Sequence, residues 1–216
     1  MLTAISIRRS LVEVAKKLGG LSTHRIRRLP APGRATEVDV TRIEATEDRL
    51  FELVDGALVE KNYGGRESIL AVVLGSRLWA FLSDKDLGVV VGASAPLRLR
   101  PNLVRSPDVS FISWDQIPCG EFPPDPIPDL YPDLAVEVLS EGNTTVEMER
   151  KLIEYFEAGC RLAWIVDPKT QTADVYTSPT SCRHLRPTQA LDGGDVLPGF
   201  KLPLKELFAC TRRRGK

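Results

Sequence analysis

Residues 133–139 read Asp133-Leu134-Ala135-Val136-Glu137-Val138-Leu139. The run is short and apolar, with one carboxylate inside it, which is the pattern of a buried strand. An ionised carboxylate taken out of water costs several kcal/mol unless something compensates it. Upstream, Pro107-Asp108-Val109-Ser110-Phe111-Ile112 is a second strand-like segment with a carboxylate near its start. Side chains alternate along a strand, so Asp108 shares a face with Ser110 and Ile112. By the same rule Glu137 shares a face with Asp133, Ala135 and Leu139. On adjacent strands the two carboxylates would converge on one cation. Mg²⁺ takes oxygen ligands, keeps several waters and is commonly held by one or two carboxylates plus a phosphate, an arrangement suited to phosphodiester hydrolysis. Asp108 also has a structural explanation, because Asp after Pro at a strand start can cap a turn. Glu137 has less of one, since a charge in such a run rarely serves packing.

Working outward, Thr144 follows as a helix cap and the pattern predicts a helix over about 145–158, stopped by Gly159. Residues 161–167 and 172–177 then read as two strands joined by a short turn. On the N-terminal side, Phe51-Glu52-Leu53-Val54 and Ala57-Leu58-Val59-Glu60-Lys61 flank Asp55-Gly56, a hairpin signal. Residues 66–83 read as a helix with apolar positions nearly all round, which predicts burial against more than one surface. Residues 88–93 and 96–100 read as strands. A proline-rich connection covers about 114–132, long enough to be functional or mobile. Helices are expected at 5–18, within 36–48, and near 205–208. The sum is an α/β (α+β) architecture with a mixed central sheet flanked by helices. Three parts are expected: a helical extension over 1–35, the main domain over 36–208, and a basic tail over 209–216.

The chain has 216 residues, enough to bury roughly 70% of its unfolded surface without disulfides. Formal net charge is zero, so any nucleic-acid contact must come from a local patch. Cys119, Cys160, Cys182 and Cys210 are widely spaced, which argues against zinc and for reduced thiols. No signal-peptide core and no membrane-length apolar run occur in the sequence, and the expected compartment is the cytoplasm.

Chemistry at a carboxylate pair calls for a nearby cation. Two residues past Glu137 stands Leu139, so the strand supplies none. The nearest candidate is Lys151, on the helix whose apolar stripe is Met148, Leu152, Ile153 and Phe156. Lys151 lies away from the centre of that stripe, and periodicity alone makes it a solvated lysine. Tyr155, one turn on, would bind substrate or cover the core edge. Glu67, in the first turn of the 66–83 helix, is explained equally by the helix dipole or by a place at the site. His24 and His184 fall in no ligand or triad spacing, and Ser110 and Ser140 lack a base. Gly64-Gly65 before a helix is a weak phosphate-binding signal.

Five segments in order carry a resemblance: Phe51–Gly56, Pro107–Phe111, Asp133–Ser140, Glu147–Gly159 and Trp164–Pro168. Over about 36–208 the chain resembles the Uma-two family, in the PD-(D/E)XK restriction-endonuclease-like superfamily. The resemblance implies a restriction-endonuclease-like core, a metal-dependent DNA endonuclease activity, Mg²⁺ or Mn²⁺ as cofactor and DNA as partner. It places the metal on Asp108 and Glu137, moves the superfamily's strand lysine from Leu139 to Lys151, and matches the helical acidic residue to Glu67. It also includes Glu52, without a defined role. Many such folds act as dimers, and the hairpin and N-terminal helix would offer an interface. Two other readings remain at this stage. One is a catalytically inactive nuclease-fold module that binds DNA or a protein. The other is a purely structural role, with Arg98, Arg100 or Arg105 clamping the two carboxylates.

Overall fold

The computed structural model describes residues 11–47, 49–62, 64–117, 119–211 and 213. Among these residues five α-helices and twelve strands stack in three layers. The helices are α1 (11–17), α2 (Glu37–Glu47), α3 (Gly65–Leu82), α4 (Thr145–Ala158) and α5 (Leu204–Ala209). The first four strands are β1 (Phe51–Val54), β2 (Ala57–Glu60), β3 (Gly88–Gly92) and β4 (Leu97–Arg100). Next come β5 (Leu103–Arg105), β6 (Val109–Ser113), β7 (Leu134–Val138) and β8 (Leu162–Asp167). The last four are β9 (Thr172–Ser178), β10 (Ser181–Leu185), β11 (Ala190–Asp192) and β12 (Lys201–Pro203).

The central sheet runs β10-β9-β8-β7-β6-β3. Only β7 and β8 are parallel, and α4 is the crossover that such a pair requires. The sheet is therefore mixed, as the sequence predicts. One face carries Val109, Phe111, Val136, Trp164 and Val166 and packs against α3 and α5. The opposite face, with Ala135, Ala163 and Ile165, lies under α4, where Met148, Leu152 and Tyr155 meet it.

A second, four-stranded sheet, β2-β1-β5-β4, forms beside α4. Its hairpin turns at Asp55 and Gly56, both at positive φ, as a type I′ turn requires. A Cβ at Gly56 would approach the Gly33 backbone to 2.8 Å, so this glycine also serves close packing. Phe51, Leu53, Leu58 and Val104 bury one face against α2. Val54, Ala57, Val59 and Leu103 bury the other against Leu11, Ala15, Leu18, Leu21 and Ile26. The hairpin and the described part of α1 thus pack against each other through these residues, while Val12 of α1 is exposed.

Several expectations need correction. The helix expected at 5–18 is seen over 11–17; residues 1–10 lie outside those described, as do 212 and 214–216 of the basic tail. α3 is buried along Leu70, Leu74, Leu78 and Leu82 only, while Ile69, Val72 and Trp79 are exposed. Apolar residues all round a helix predicted two covering surfaces, but the sheet covers α3 on one side. β5 and β10 to β12 escaped the sequence reading: β5 is three residues long, and β10 is a polar edge strand without an apolar alternation. The proline-rich connection is packed through Ile117, Ile127 and Leu130. No helix among the described residues is long and apolar enough to cross a membrane.

Candidate active site

β6 and β7 are antiparallel with Val109 opposite Val136, and Asp108, in the bend just before β6, lies beside the Val136–Val138 end of β7 that carries Glu137. The Asp108 amide donates to the Val136 carbonyl at 2.9 Å, which ties the bend to β7. Asp108 Oδ2 in turn accepts from the Val138 amide at 2.7 Å. The turn-capping role weighed for Asp108 therefore exists, and it aims the carboxylate at its neighbour.

α4 delivers the cation. Its cap is Thr144, whose hydroxyl accepts from the Glu147 amide at 3.0 Å, and Gly159 ends it in the left-handed region. Glu147, Lys151 and Tyr155 rise along one line at four-residue spacing and are all buried. Lys151 Nζ lies 2.9 Å from Glu137 Oε1 and 3.1 Å from Glu52 Oε1. The Tyr155 hydroxyl donates to Glu137 Oε1 at 2.5 Å. Lys151 is thus an inward lysine, not the solvated one that periodicity predicts, and Ile153 of the expected stripe is exposed instead. The stripe count weighs only apolar residues. The polar side of α4 is covered by the second sheet, which brings its own charges.

Those charges come from β1, β2 and β5. Glu52 and Arg105 face each other across β1 and β5, with Arg105 Nη1 2.7 Å from Glu52 Oε2. Arg105 also pairs with Glu154 of α4, at 2.6 Å. Lys61, just past β2, lies 2.9 Å from Asp108 Oδ1 and also donates to the Ser106 carbonyl. Sequence reasoning missed Lys61, for a lysine at the end of a strand carries no signal of its own. The structural reading required basic partners for the two carboxylates, and they are lysines rather than Arg98 or Arg105: Lys61 pairs with Asp108 and Lys151 with Glu137, while Arg105 serves Glu52 and Glu154 and Arg98 pairs with Glu37.

The electrostatics separate the two buried glutamates. Burial pushes the Glu52 carboxyl up, but Lys151, Arg105 and Lys61 outweigh it and hold the group well below the usual carboxylate range. Burial also pushes Glu137 up, and Asp108 and Glu52 add to the shift. Lys151 and Lys61 offset only part of it, so its affinity for a proton ends above normal. Lys151 and Lys61 are held charged: burial would lower them, and the carboxylates more than reverse it. Burial raises Tyr155 far above an ordinary phenol, so it remains a donor.

The structure brings Asp108, Glu137, Lys151, Tyr155 and Glu52 together. Among the described residues Glu67 forms no hydrogen bond or ion pair with them. Its carboxylate folds over Gly64, where a Cβ would come within 1.9 Å of it. Leu139 packs on the apolar cluster under α4. No group of three or more His, Cys, Asp or Glu with metal-ligand geometry occurs among the described residues. The donor set is a carboxylate pair, which fits a hard cation that keeps most of its ligands as water or phosphate.

The family model described as "Putative restriction endonuclease" (Uma2) matches residues 38–205. Among solved structures, the crystal structure of a putative nuclease belonging to DUF820 from Anabaena variabilis ATCC 29413 is similar, with a TM-score of 0.66. The two chains are 19% identical, and the match covers 76% of this chain and 92% of that one, which speaks for a shared fold. No curated protein matches this chain. The restriction-endonuclease-like fold and the match across most of the chain lead to one conclusion: the chain belongs to the Uma2 family of putative restriction endonucleases.

Proposed function

We propose that this protein is a DNA endonuclease that hydrolyses phosphodiester bonds with a divalent cation, Mg²⁺ or Mn²⁺, held by Asp108 and Glu137. The observation that carries the reading is Asp108, bonded to the Val138 amide beside Glu137, together with Lys151 Nζ 2.9 Å from Glu137 Oε1. When bound, such a cation supplies Lewis acidity toward a phosphate oxygen and makes water more acidic. Asp108 and Glu137 supply the anionic oxygens. Lys151 orients Glu137 and places a positive charge beside the reacting centre, where an ammonium favours a phosphate that gains charge. Tyr155 fixes the Glu137 carboxylate through its hydroxyl, and Glu52 fixes Lys151 from the other side. Glu67 is assigned no step.

The test is cleavage of supercoiled plasmid in Mg²⁺ or Mn²⁺. The wild-type protein is expected to nick or linearise it, and Asp108→Asn and Glu137→Gln to lower the rate at least about 100-fold, the scale of losing a main electrostatic contributor. Cleavage that persists in both variants would sink the assignment. The alternative is a silent nuclease-fold module. The pairing of each carboxylate with a lysine favours it, because the charges are already balanced. Duplex binding by the wild-type protein, without cleavage or metal uptake, would identify that case.

A further inference from the structure

Lys61 occupies a place in the site that neither the carboxylate pair nor the α4 lysine explains. It leaves β2 at the point where its amide still bonds the Leu50 carbonyl at 3.0 Å, so the hairpin ladder holds its backbone. Its side chain is 5% exposed and crosses to the other sheet, reaching Asp108 Oδ1 at 2.9 Å. The Ser106 carbonyl anchors the same ammonium. Asp108 is the more accessible of the two carboxylates, with 12% of its side chain exposed against 8% for Glu137. An arriving cation therefore meets Asp108 with an ammonium already on it.

We propose that Lys61 is a positioning residue that stands in for the divalent cation at Asp108, so that the two compete for one carboxylate until a phosphodiester takes over the ammonium. The inference rests on the metal reading of the site given above. Two like charges near one carboxylate repel strongly at the low effective dielectric of a partly buried site. The Lys61 ammonium thus weakens cation binding in the absence of substrate. A phosphate at the site offers that ammonium a second anion, and cation and nucleic acid then bind with positive coupling. The other lysine does not share this role, because Lys151 is held between Glu137 and Glu52 and has no bond to Asp108 among the described residues.

The experiment is calorimetric titration of the full chain with Mn²⁺, with and without a short DNA duplex bearing non-hydrolysable linkages. Lys61→Met is expected to bind Mn²⁺ at least about tenfold more tightly than wild type without DNA, since the competing charge is gone. Lys61→Arg keeps the charge and is expected to stay weak. The duplex is expected to tighten Mn²⁺ binding in wild type and to do so much less in Lys61→Met. Circular dichroism checks the fold, and Lys61→Gln carries the same comparison if the methionine variant does not fold. Equal or weaker Mn²⁺ binding by the neutral variants overturns the inference. If that binding is also lost in Glu137→Gln, the metal reading stands and only the role of Lys61 fails. If neither wild type nor the neutral variants bind Mn²⁺, both fail together.

Discussion

Glu52 is wholly buried yet remains a carboxylate, because three cations surround it. Arg105 and Lys151 reach its two oxygens, and the Ser106 amide adds a hydrogen bond at 3.2 Å. Removing one member of such a network leaves the others buried without a partner, which costs about 3–5 kcal/mol. Glu52→Gln is expected to lose stability on that scale at pH 7, measured by urea unfolding. The sign of the pH effect follows from the depressed affinity for protons. The unfolded chain takes up a proton near the ordinary value of 4.5, whereas the folded chain takes it up only at lower pH. The contribution of Glu52 is therefore complete above about pH 5 and declines as pH falls below the ordinary value. The variant should show a flatter acid limb than wild type, and an identical slope below pH 4.5 would contradict the network. Glu137 was legible as a functional candidate because a charge interrupts an apolar run. Lys61 was not, because its partner Asp108 lies 47 residues away and no local pattern joins them.

At the scale of elements, α4 decides whether the site exists. Its register sets which side chains meet β7, and its two ends fix that register. Gly159 has φ 119°, and a Cβ there would come within 2.6 Å of the Tyr131 ring. Gly159→Ala is expected to destabilise the fold by about 1–3 kcal/mol, from backbone strain plus the clash, as read from a chemical denaturation midpoint. A change within a few tenths of a kcal/mol would show that the helix end is not under this constraint. The span of α4 was readable from Thr144 and Gly159, both of which are local signals. The burial of its polar line was not, because Glu147, Lys151 and Glu154 are countered by Arg25, Glu137, Glu52 and Arg105 from distant segments. α3 shows the converse. Its apolar residues go nearly all round, but the topology places a sheet on one side only.

At the scale of the molecule, the segment before residue 36 is not detachable from the rest in its contacts. Arg25 grips Glu147 through two bonds of 2.9 and 2.8 Å and also reaches the Gly142 and Glu60 carbonyls. Thr144 donates to the Gly19 carbonyl at 2.5 Å. Arg25→Met is expected to cost about 3–5 kcal/mol by urea unfolding, because Glu147 is left charged and buried. Adding Glu147→Gln should recover part of that loss, and strictly additive losses would deny the coupling. From the sequence alone came the strands read at 107–112 and 133–139, the hairpin, the span of α4 and the carboxylate pair. Each depends on local periodicity, on turn residues or on a charge placed where packing does not want one. Only the tertiary structure decided the second sheet's place beside α4, the inward turn of Lys151 and the presence of Lys61 on Asp108. Buried charges are tolerated only where opposite charges arrive from elsewhere in the chain, and their arrival is a property of the packed layers rather than of any one segment.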